Sequence, residues 1–363
     1  MSTLALAVLV WTVVAAVFSA ITLLRVLRQP PAPPPRALLP MLLIRPLDEP
    51  TEPELANLAV PFPPDIPVRQ VVVSPYRPRL ADGVEWHFSD PACLNRKVGH
   101  VLYALDTLRP AGRQVLVVDA DVAVDRALLE GLSGALSAGA ALATAAPEPE
   151  GGRGLGAAAI RGLLRSSQHS FVALDLMSAG SKAVCGKALG LSAPALEALR
   201  GLTGHIGEDL ELARFLHLRG LPVMRVASAA RMPLPRAVPL GSVLRRFRRW
   251  MQVLRAHRPA LYPTVPLLLA PTPLLLGLAV LVGSAGEVTA LAVLLALRIA
   301  LGLALSRGRP DGADGGWEWL LGEAMLLAAW LGSLGGRTVD WRGGCFTLLP
   351  GGRMERAVRG GER

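Results

Sequence analysis

An uncharged apolar run opens the chain and restricts its possible folds more than any other feature. Residues 4 to 24 carry no charged side chain and have about the length of a bilayer-spanning helix. Arg25, Arg28 and Arg36 follow this run, and nothing basic precedes it. Because positive residues stay on the cytosolic side, we expect an anchor at residues 1–28 with the following chain in the cytosol. A cleaved signal peptide is the alternative, but its basic residues would precede the apolar core.

Apolar residues are also concentrated near the other end. They make up 52% of the chain, and the mean hydropathy is +0.41. Membrane helices are predicted within residues 261–336, in three runs at 264–282, 288–305 and 317–334. The tail at 337–363 is basic, and its side of the membrane stays open, because the third run contains two glutamates and either crosses or lies in the interface.

The net charge of +10 comes mostly from arginine. These arginines are scattered or lie beside apolar segments, so an anionic lipid surface explains them better than nucleic acid does. The alanine- and proline-rich composition is typical of a high-GC bacterial genome. We therefore expect a multi-pass protein of a bacterial inner membrane, with the lipid bilayer as a partner and no nucleic acid. The oligomeric state stays open.

Between the two apolar regions the pattern changes. Residues 29–37 are rich in proline and predict a stiff spacer. Residues 38–240 alternate short apolar runs with amphipathic helices, which is typical of an α/β domain with a largely parallel sheet. Strands are predicted at 38–44, 68–73, 115–118 and 140–145, and helices at 52–60, 95–108 and 126–136. Such a sheet binds nucleotides at the carboxyl ends of its strands.

Two aspartates stand at one of those ends. The run from Val115 to Val118 predicts a central strand, and Asp119 and Asp121 follow it on the same face. Two such carboxylates can share a divalent hard cation whose remaining positions suit phosphate oxygens. The alternative is a pair of solvated aspartates ahead of the next helix, with Asp125 as a further capping residue.

A second acidic group, Glu208-Asp209, opens a predicted helix that ends before Gly220. N-capping alone would explain carboxylates there, because the free amides and the helix dipole stabilise them. The functional alternative is that Asp209 acts as a general base, kept ionised at neutral pH by the dipole.

Arginines and aromatic residues share a predicted amphipathic helix at 241–260. Phe247, Trp250 and Met251 fall at helical spacing on one face, with arginines around them. The simple interpretation is a helix lying on anionic lipid. The other is that the arginines reach a diphosphate and that Trp250 forms the floor of an acceptor pocket.

These groups, in this order, resemble the ceramide glucosyltransferase family, membrane-bound inverting glycosyltransferases with a GT-A fold that include hopanoid-associated bacterial members. The matching segments cover nearly the whole chain. They are Arg45-Pro-Leu47, Asn95-Arg-Lys97-Val98, Asp119-Ala-Asp121, Val184-Cys-Gly-Lys-Ala-Leu-Gly-Leu191, Glu208-Asp209, Arg246-Phe-Arg-Arg249-Trp250 and Val339-Asp-Trp-Arg-Gly-Gly344.

The resemblance implies a role for each matching residue. Asp119 and Asp121 would hold Mg or Mn together with the nucleotide diphosphate, and Lys97 would approach the nucleotide. Asp209 would deprotonate the acceptor hydroxyl. The remaining residues would bind the diphosphate or the acceptor: Arg246, Arg249 and Trp250 for the diphosphate, and Glu208, Trp250 and His169 for the acceptor. For His169 the alternative is an ordinary position on an amphipathic helix face.

The resemblance further implies that a hexose, most often glucose, passes from a UDP-sugar to a lipid hydroxyl such as that of ceramide. One departure is that Ser74 stands where the family usually has an aspartate that contacts the nucleoside. Two alternatives remain. A processive polysaccharide synthase shares the motifs but usually needs more membrane helices, and a non-catalytic membrane scaffold is supported only by Ser74. The particular sugar and lipid stay open.

Overall fold

The computed structural model describes residues 2–28, 38–63, 65–165, 171, 183–306, 315–341 and 344–357. The predicted proline-rich spacer and His169 lie outside these residues. The chain divides into two compact units. We call residues 38–63, 65–148, 183–235 and 340–357 the sheet unit, and residues 2–28, 149–165, 171, 236–306 and 315–339 the helical unit.

The strands follow one another along the described chain in this order: β1 (Met41–Pro46), β2 (Val68–Ser74), β3 (Glu85–Phe88), β4 (Gln114–Val118), β5 (Leu142–Thr144), β6 (Pro147–Arg153), β7 (Ala188–Leu191), β8 (Val223–Arg225), β9 (Ala230–Ala237), β10 (Thr338–Trp341), β11 (Gly344–Leu348) and β12 (Met354–Arg356).

The α-helices, again in chain order, are α1 (Thr3–Leu27), α2 (Glu52–Leu58), α3 (Arg96–Leu108), α4 (Arg126–Ser137), α5 (Gly154–Arg165), α6 (Ala193–Leu199), α7 (Glu208–Leu218), α8 (Leu240–His257), α9 (Thr272–Val282), α10 (Ala285–Ser306) and α11 (Gly315–Ser333). A short π-helix, Val265–Leu269, precedes α9.

A seven-stranded sheet with the order β3-β2-β1-β4-β7-β5-β8 forms the centre of the sheet unit. Strands β3, β2, β1 and β4 are parallel, as are β5 and β8, whereas β7 runs antiparallel to both of its neighbours. The sheet is therefore mixed, and not as uniformly parallel as the sequence suggested. Strand β7 was not predicted because Ala188–Leu191 is short and contains a glycine, which gives it little β propensity of its own.

The central strands are apolar because both faces of the sheet are covered. Leu43, Val72 and Leu116 are fully buried on neighbouring strands. Burying side chains of this size contributes about 1.5–3 kcal/mol each relative to exposure. The predicted apolar runs correspond to these strands, with ends displaced by up to three residues. Asp125 caps α4 as predicted, since its carboxylate accepts a hydrogen bond from the Leu128 amide at 2.8 Å.

The residues after 337, described from the sequence only as a basic tail, form strands β10 to β12. Backbone bonds join this segment to the loop that precedes α7, from the Ile206 amide to the Gly352 carbonyl at 2.9 Å and from the Met354 amide to the Gly204 carbonyl at 2.8 Å. These strands are short and are joined by segments that contain glycine and arginine, so the hydrophobic pattern of the whole stretch is weak. The segment supports the loop that leads to Glu208.

In the helical unit, α1 and α10 are long and apolar enough to cross a membrane by length and composition. Many of their large apolar side chains are exposed, among them Val10, Val17, Val293 and Leu303. Extended apolar surface of this kind is unfavourable in water and marks a contact with lipid or another protein.

A pair of opposite charges stabilises the break between the π-helix and α9. Arg298 and Glu323 are each 4% exposed, and their side chains approach to 3.4 Å. Arg298 donates to the Leu268 carbonyl at the end of the π-helix (2.7 Å), and Glu323 accepts from the Thr272 amide at the start of α9 (3.1 Å). Each charge thus satisfies backbone groups that the broken helix leaves unpaired. Prolines at 263, 266, 271 and 273 surround the break, and proline favours such a break because it removes a helical hydrogen bond.

Two glycines allow α5 and α11 to approach closely. A Cβ atom at Gly162 would lie 1.9 Å from the Glu318 carbonyl oxygen, and one at Gly322 would lie 2.6 Å from the Leu163 amide nitrogen. Beside this contact the buried carboxylate of Glu318 pairs with Arg161 at 2.5 Å. Small residues at the crossing and an ion pair beside it hold the two helices together.

Replacing Gly162 with alanine should therefore destabilise the helical unit by about 1–3 kcal/mol, because the new methyl group meets backbone atoms that cannot rotate away. The measurement is thermal unfolding of the detergent-solubilised protein. Gly277→Ala is the matched control, since Gly277 lies in α9 with nothing within 4 Å of its added Cβ. The control should be neutral or stabilising by up to about 1 kcal/mol. Equal melting temperatures for the two variants would contradict the close helix contact.

Candidate active site

Asp119 and Asp121 lie where β4 ends, at the carboxyl edge of the sheet. Arg45, a residue of β1 that is 1% exposed, fixes the loop that carries them. Its Nη2 donates to the carbonyls of Asp119 (3.1 Å), Ala120 (3.1 Å) and Val122 (2.7 Å). Buried carbonyls need such donors, so Arg45 fixes the backbone from which both carboxylates project.

Lys97 forms the centre of the acidic site. Its Nζ lies 2.8 Å from Asp119 Oδ1 and 3.2 Å from Glu208 Oε1, and it donates to the Gly186 carbonyl at 2.6 Å. Burial alone would lower the pKa of Lys97, but the charges of Asp119 and Glu208 raise it above its ordinary value. Lys97 is therefore a permanent cation that joins three segments of the sheet unit.

Glu208 is buried, and its carboxylate is shared between two partners. One oxygen contacts Lys97, and the other accepts a hydrogen bond from Asn95 Nδ2 at 3.0 Å. Asn95 also caps α3 by accepting from the Val98 amide at 3.2 Å, and it donates to the His205 carbonyl at 2.7 Å. These contacts fix the start of α7 relative to Lys97. The predicted acceptor contact of Glu208 stays a prediction.

Asp209 follows directly, where Gly207 adopts a left-handed conformation (φ 71°) and α7 begins. Its Oδ2 accepts a hydrogen bond from the Gly186 amide at 2.6 Å. Burial raises the pKa of Asp209 to about 6, and the neighbouring Glu208 adds to the rise, while Lys97 acts in the opposite direction. With this pKa the carboxylate is still mostly ionised at neutral pH, as a general base requires, although desolvation places the pKa above the ordinary aspartate value. A carboxylate with a pKa near neutrality is well suited to accept a proton.

Gly186 connects Lys97 and Asp209 through its own peptide groups. Its amide faces Asp209 and its carbonyl faces Lys97, and an added Cβ would lie 3.1 Å from the Asp209 carboxylate. Thr144 fixes the preceding residue, because its hydroxyl both accepts from the Cys185 amide and donates to the Cys185 carbonyl. Burial and the charge of Asp209 raise the pKa of Cys185 to about 12, so this thiol is not a nucleophile.

Lys187 was not predicted as a site residue, yet it contacts both aspartates. Its Nζ lies 2.6 Å from Asp121 Oδ2 and 3.1 Å from Asp119 Oδ2. Although burial opposes the effect, Lys97 and Lys187 hold the pKa of Asp119 well below its usual range. In the sequence, the only signal for Lys187 was its position in the family-like segment from Val184 to Leu191.

The cluster has four carboxylates and two ammonium groups, and the Arg45 guanidinium lies beside it, so an excess of about one negative charge remains when Asp209 is ionised. Such an excess favours binding of a further cation. Within the described residues, no group of three or more His, Cys, Asp or Glu side chains is arranged to hold a metal. Any metal here would depend on two carboxylates plus oxygen atoms from a ligand or water.

Ser74, at the end of β2, is fully buried, and its hydroxyl accepts from the Tyr76 amide at 3.1 Å. Beyond the next strand, β3, Asp90 pairs with Arg96 at 2.6 Å, and Arg96 also contacts Asp48 at 2.8 Å. A charged group therefore lies near the same sheet edge, although not at the position where the sequence comparison expected an aspartate.

Arg246, Arg249 and Trp250 belong to helix α8 of the helical unit. Phe247 on this helix is fully buried, and the Trp250 ring packs edge-to-face against it at 5.0 Å. The Arg246 guanidinium lies 5.2 Å from the centre of the Trp250 ring, within the range of a cation–π contact. Helix α8 is thus amphipathic, as predicted, and Arg246 and Trp250 support each other's orientation.

A family model described as Glycosyl transferase family 21 matches residues 86–354. The chain belongs to glycosyl transferase family 21. This match confirms the predicted resemblance at the level of the family and makes the protein a glycosyltransferase. The matched region includes the acidic cluster in the sheet unit and helix α8 in the helical unit.

The comparison with curated proteins found no match. Among solved structures, the chain is similar to the mannosyltransferase PcManGT from Pyrobaculum calidifontis, solved in complex with GDP-Man and Mn2+. The two sequences are 16% identical, the alignment covers 92% of this chain and 98% of that one, and the TM-score is 0.46.

The raised pKa of Asp209 predicts how the stability of an Asp209→Asn variant depends on pH. Because the folded-state pKa of about 6 exceeds the ordinary value of 3.8, the folded protein loses stability as pH rises between these values. The asparagine side chain does not ionise, so the variant does not lose stability in this pH range. We therefore expect its melting temperature, relative to wild type, to increase from pH 4 to pH 7, as measured by thermal unfolding in detergent.

Asp106→Asn is the control for this measurement. Arg200 lowers the pKa of Asp106, so any change with pH should be small and of opposite sign. A pH-independent difference between Asp209→Asn and wild type would show that the pKa of Asp209 is not raised.

Proposed function

We propose that the protein is a membrane-bound inverting glycosyltransferase with a GT-A sheet domain. It transfers a hexose, with glucose as the first candidate, from a UDP-sugar to the hydroxyl of a membrane lipid such as ceramide. One observation carries this proposal: in a family 21 chain, Lys97 and the Gly186 peptide hold Asp119, at the end of a central strand, beside Asp209, whose pKa is about 6.

The oxygen donors of Asp119 and Asp121 fit Mg or Mn. These cations prefer carboxylate oxygens and take their other ligands from substrate phosphates and water. Asp121 Oδ1 is buried without a hydrogen-bond partner, and the cluster keeps an excess of negative charge that favours a cation. When bound, the metal would supply positive charge to the diphosphate of the donor.

Asp209 acts as the base in a single displacement. It accepts the proton of the acceptor hydroxyl while that oxygen bonds to the anomeric carbon, and the bond from this carbon to the diphosphate breaks. Attack from the opposite face inverts the configuration, so an α-linked donor gives a β-glycoside. Lys97 stays protonated throughout and stabilises the anionic surroundings.

The remaining assignments follow the family pattern. Arg246 and Arg249 bind the diphosphate through charge-assisted hydrogen bonds, and Trp250 closes the acceptor site. This proposal is supported by the contact of Arg246 with the Trp250 ring, which places a cation and an aromatic side chain next to each other on one helix. Glu208 and His169 are proposed to lie near the acceptor.

A lipid acceptor is supported by the apolar character of α1 and α10. We infer a multi-pass protein of a bacterial inner membrane with its sheet domain in the cytosol, where nucleotide sugars are made. The arginines at 25, 28 and 36, which follow the first apolar run, support this orientation. A polysaccharide synthase is less well supported, because a chain that exports a polymer needs a channel of more helices.

The proposal predicts transfer of label from one UDP-sugar to a lipid. Purified full-length protein in detergent is incubated with radiolabelled UDP-glucose, UDP-galactose or UDP-N-acetylglucosamine, bacterial lipids including ceramide, and Mg or Mn. Products are separated by thin-layer chromatography. We expect one donor to give a labelled lipid, and addition of a chelator to abolish it.

Asp209→Asn should lower the turnover rate roughly 10²–10⁴-fold while leaving UDP binding intact.

For the wild type, turnover should fall about tenfold per pH unit below about pH 6, because the base becomes protonated. Asp106→Asn, at an exposed ion pair with Arg200, is the matched control and should keep full activity. Normal turnover in Asp209→Asn would reject Asp209 as the base, and bound UDP without transfer to any lipid would favour a non-catalytic scaffold.

A further inference from the structure

Lys187 occupies the position that a cation shared by Asp119 and Asp121 would take. Its ammonium group contacts one oxygen of each carboxylate, at 3.1 Å and 2.6 Å. The side chain is only 17% exposed, so water screens this interaction weakly. The described structure therefore has an internal cation between the two aspartates.

The sheet determines this placement. Strand β7 runs antiparallel to β4, with Ala188 opposite Val118, so that Lys187 comes next to Asp119. The Asp119 amide donates to the Lys187 carbonyl at 2.9 Å, which continues the pairing beyond the strand ends. The lysine backbone is thus fixed, while its four-carbon side chain can rotate away from the aspartates.

The carboxylate oxygens cannot serve Lys187 and a bridging metal together. Asp119 uses one oxygen for Lys97 and the other for Lys187, and Asp121 uses one for Lys187. Asp121 Oδ1 alone lacks a hydrogen-bond partner. A divalent ion between the two carboxylates would also lie within a few ångströms of the ammonium group and repel it strongly.

We propose that Lys187 is a resident counter-ion that competes with the divalent metal for Asp119 and Asp121. In the metal-free protein it neutralises the pair and keeps the two carboxylates together. When a metal enters with the donor, Lys187 moves aside and its ammonium group takes a phosphate oxygen as its new partner. Metal and nucleotide binding are therefore coupled, because the nucleotide supplies the anion that the displaced lysine needs. This inference rests on the proposed metal-dependent use of a nucleotide sugar.

The test is a titration of the metal-free full-length protein in detergent with Mn2+. The electron paramagnetic resonance signal of free Mn2+ reports how much of the metal stays unbound. Lys187→Met keeps the length of the side chain and removes its charge. We expect this variant to bind Mn2+ at least tenfold more tightly than wild type in the absence of nucleotide. UDP should strengthen Mn2+ binding less in the variant than in wild type, because no lysine remains to be moved.

Three further variants make the result specific. Arg200→Met removes a positive charge from an exposed ion pair and should leave Mn2+ affinity unchanged. Asp121→Asn should abolish the tight binding in the Lys187→Met background. Lys187→Arg, which keeps the charge, should bind Mn2+ no more tightly than wild type and serves as the comparison if the methionine variant does not fold.

Equal or weaker Mn2+ binding by folded Lys187→Met would overturn the proposal, since a residue that only supports the site would weaken binding when removed. Tighter binding by Lys187→Arg would overturn it as well. If no Mn2+ binds to any variant, with or without UDP, Lys187 is not a competitor of the metal. The transfer assay separates the two proposals, because labelled lipid formed without metal would support the glycosyltransferase activity while rejecting its metal dependence and, with it, this inference.

Discussion

The ammonium group of Lys97, buried among carboxylates, is the interaction on which the candidate site depends. Asp119, Glu208 and Gly186 come from three segments far apart in the sequence, and each contacts this one nitrogen. Removing the cation would leave the buried Glu208 carboxylate without a charged partner, which is costlier than the loss of a surface ion pair. Lys97 therefore holds the end of a strand, the start of a helix and a tight turn in one fixed arrangement.

This arrangement explains why neighbouring acids differ in their behaviour. Asp119 faces two ammonium groups and stays ionised at any physiological pH. Asp209 is half-buried beside another carboxylate, and desolvation raises its pKa to about 6. The difference arises from position alone, since both side chains are aspartates. One therefore suits the binding of cations, whereas the other suits the exchange of a proton.

The sequence predicted the residue types of the site better than their contacts. Asp119, Asp121 and Asp209 were identified because strand ends and helix starts leave a local pattern. Arg45 and Lys187 were not, since the reasons for their positions lie in β1 and β7 packing beside β4, which no local pattern records. The rise in the pKa of Asp209 was not predicted for the same reason, because desolvation is a property of the folded chain. The apolar helices were the easiest elements to predict, as their lengths and composition are almost sufficient.

The charge pair at the helix break has a consequence for biosynthesis. Arg298 lies on α10 and Glu323 on α11, so the ribosome completes the arginine helix before the glutamate exists. A lone arginine in the middle of a membrane is costly, and it becomes tolerable only when its partner arrives. The break before α9 could therefore reach its final shape only after both α10 and α11 had been made.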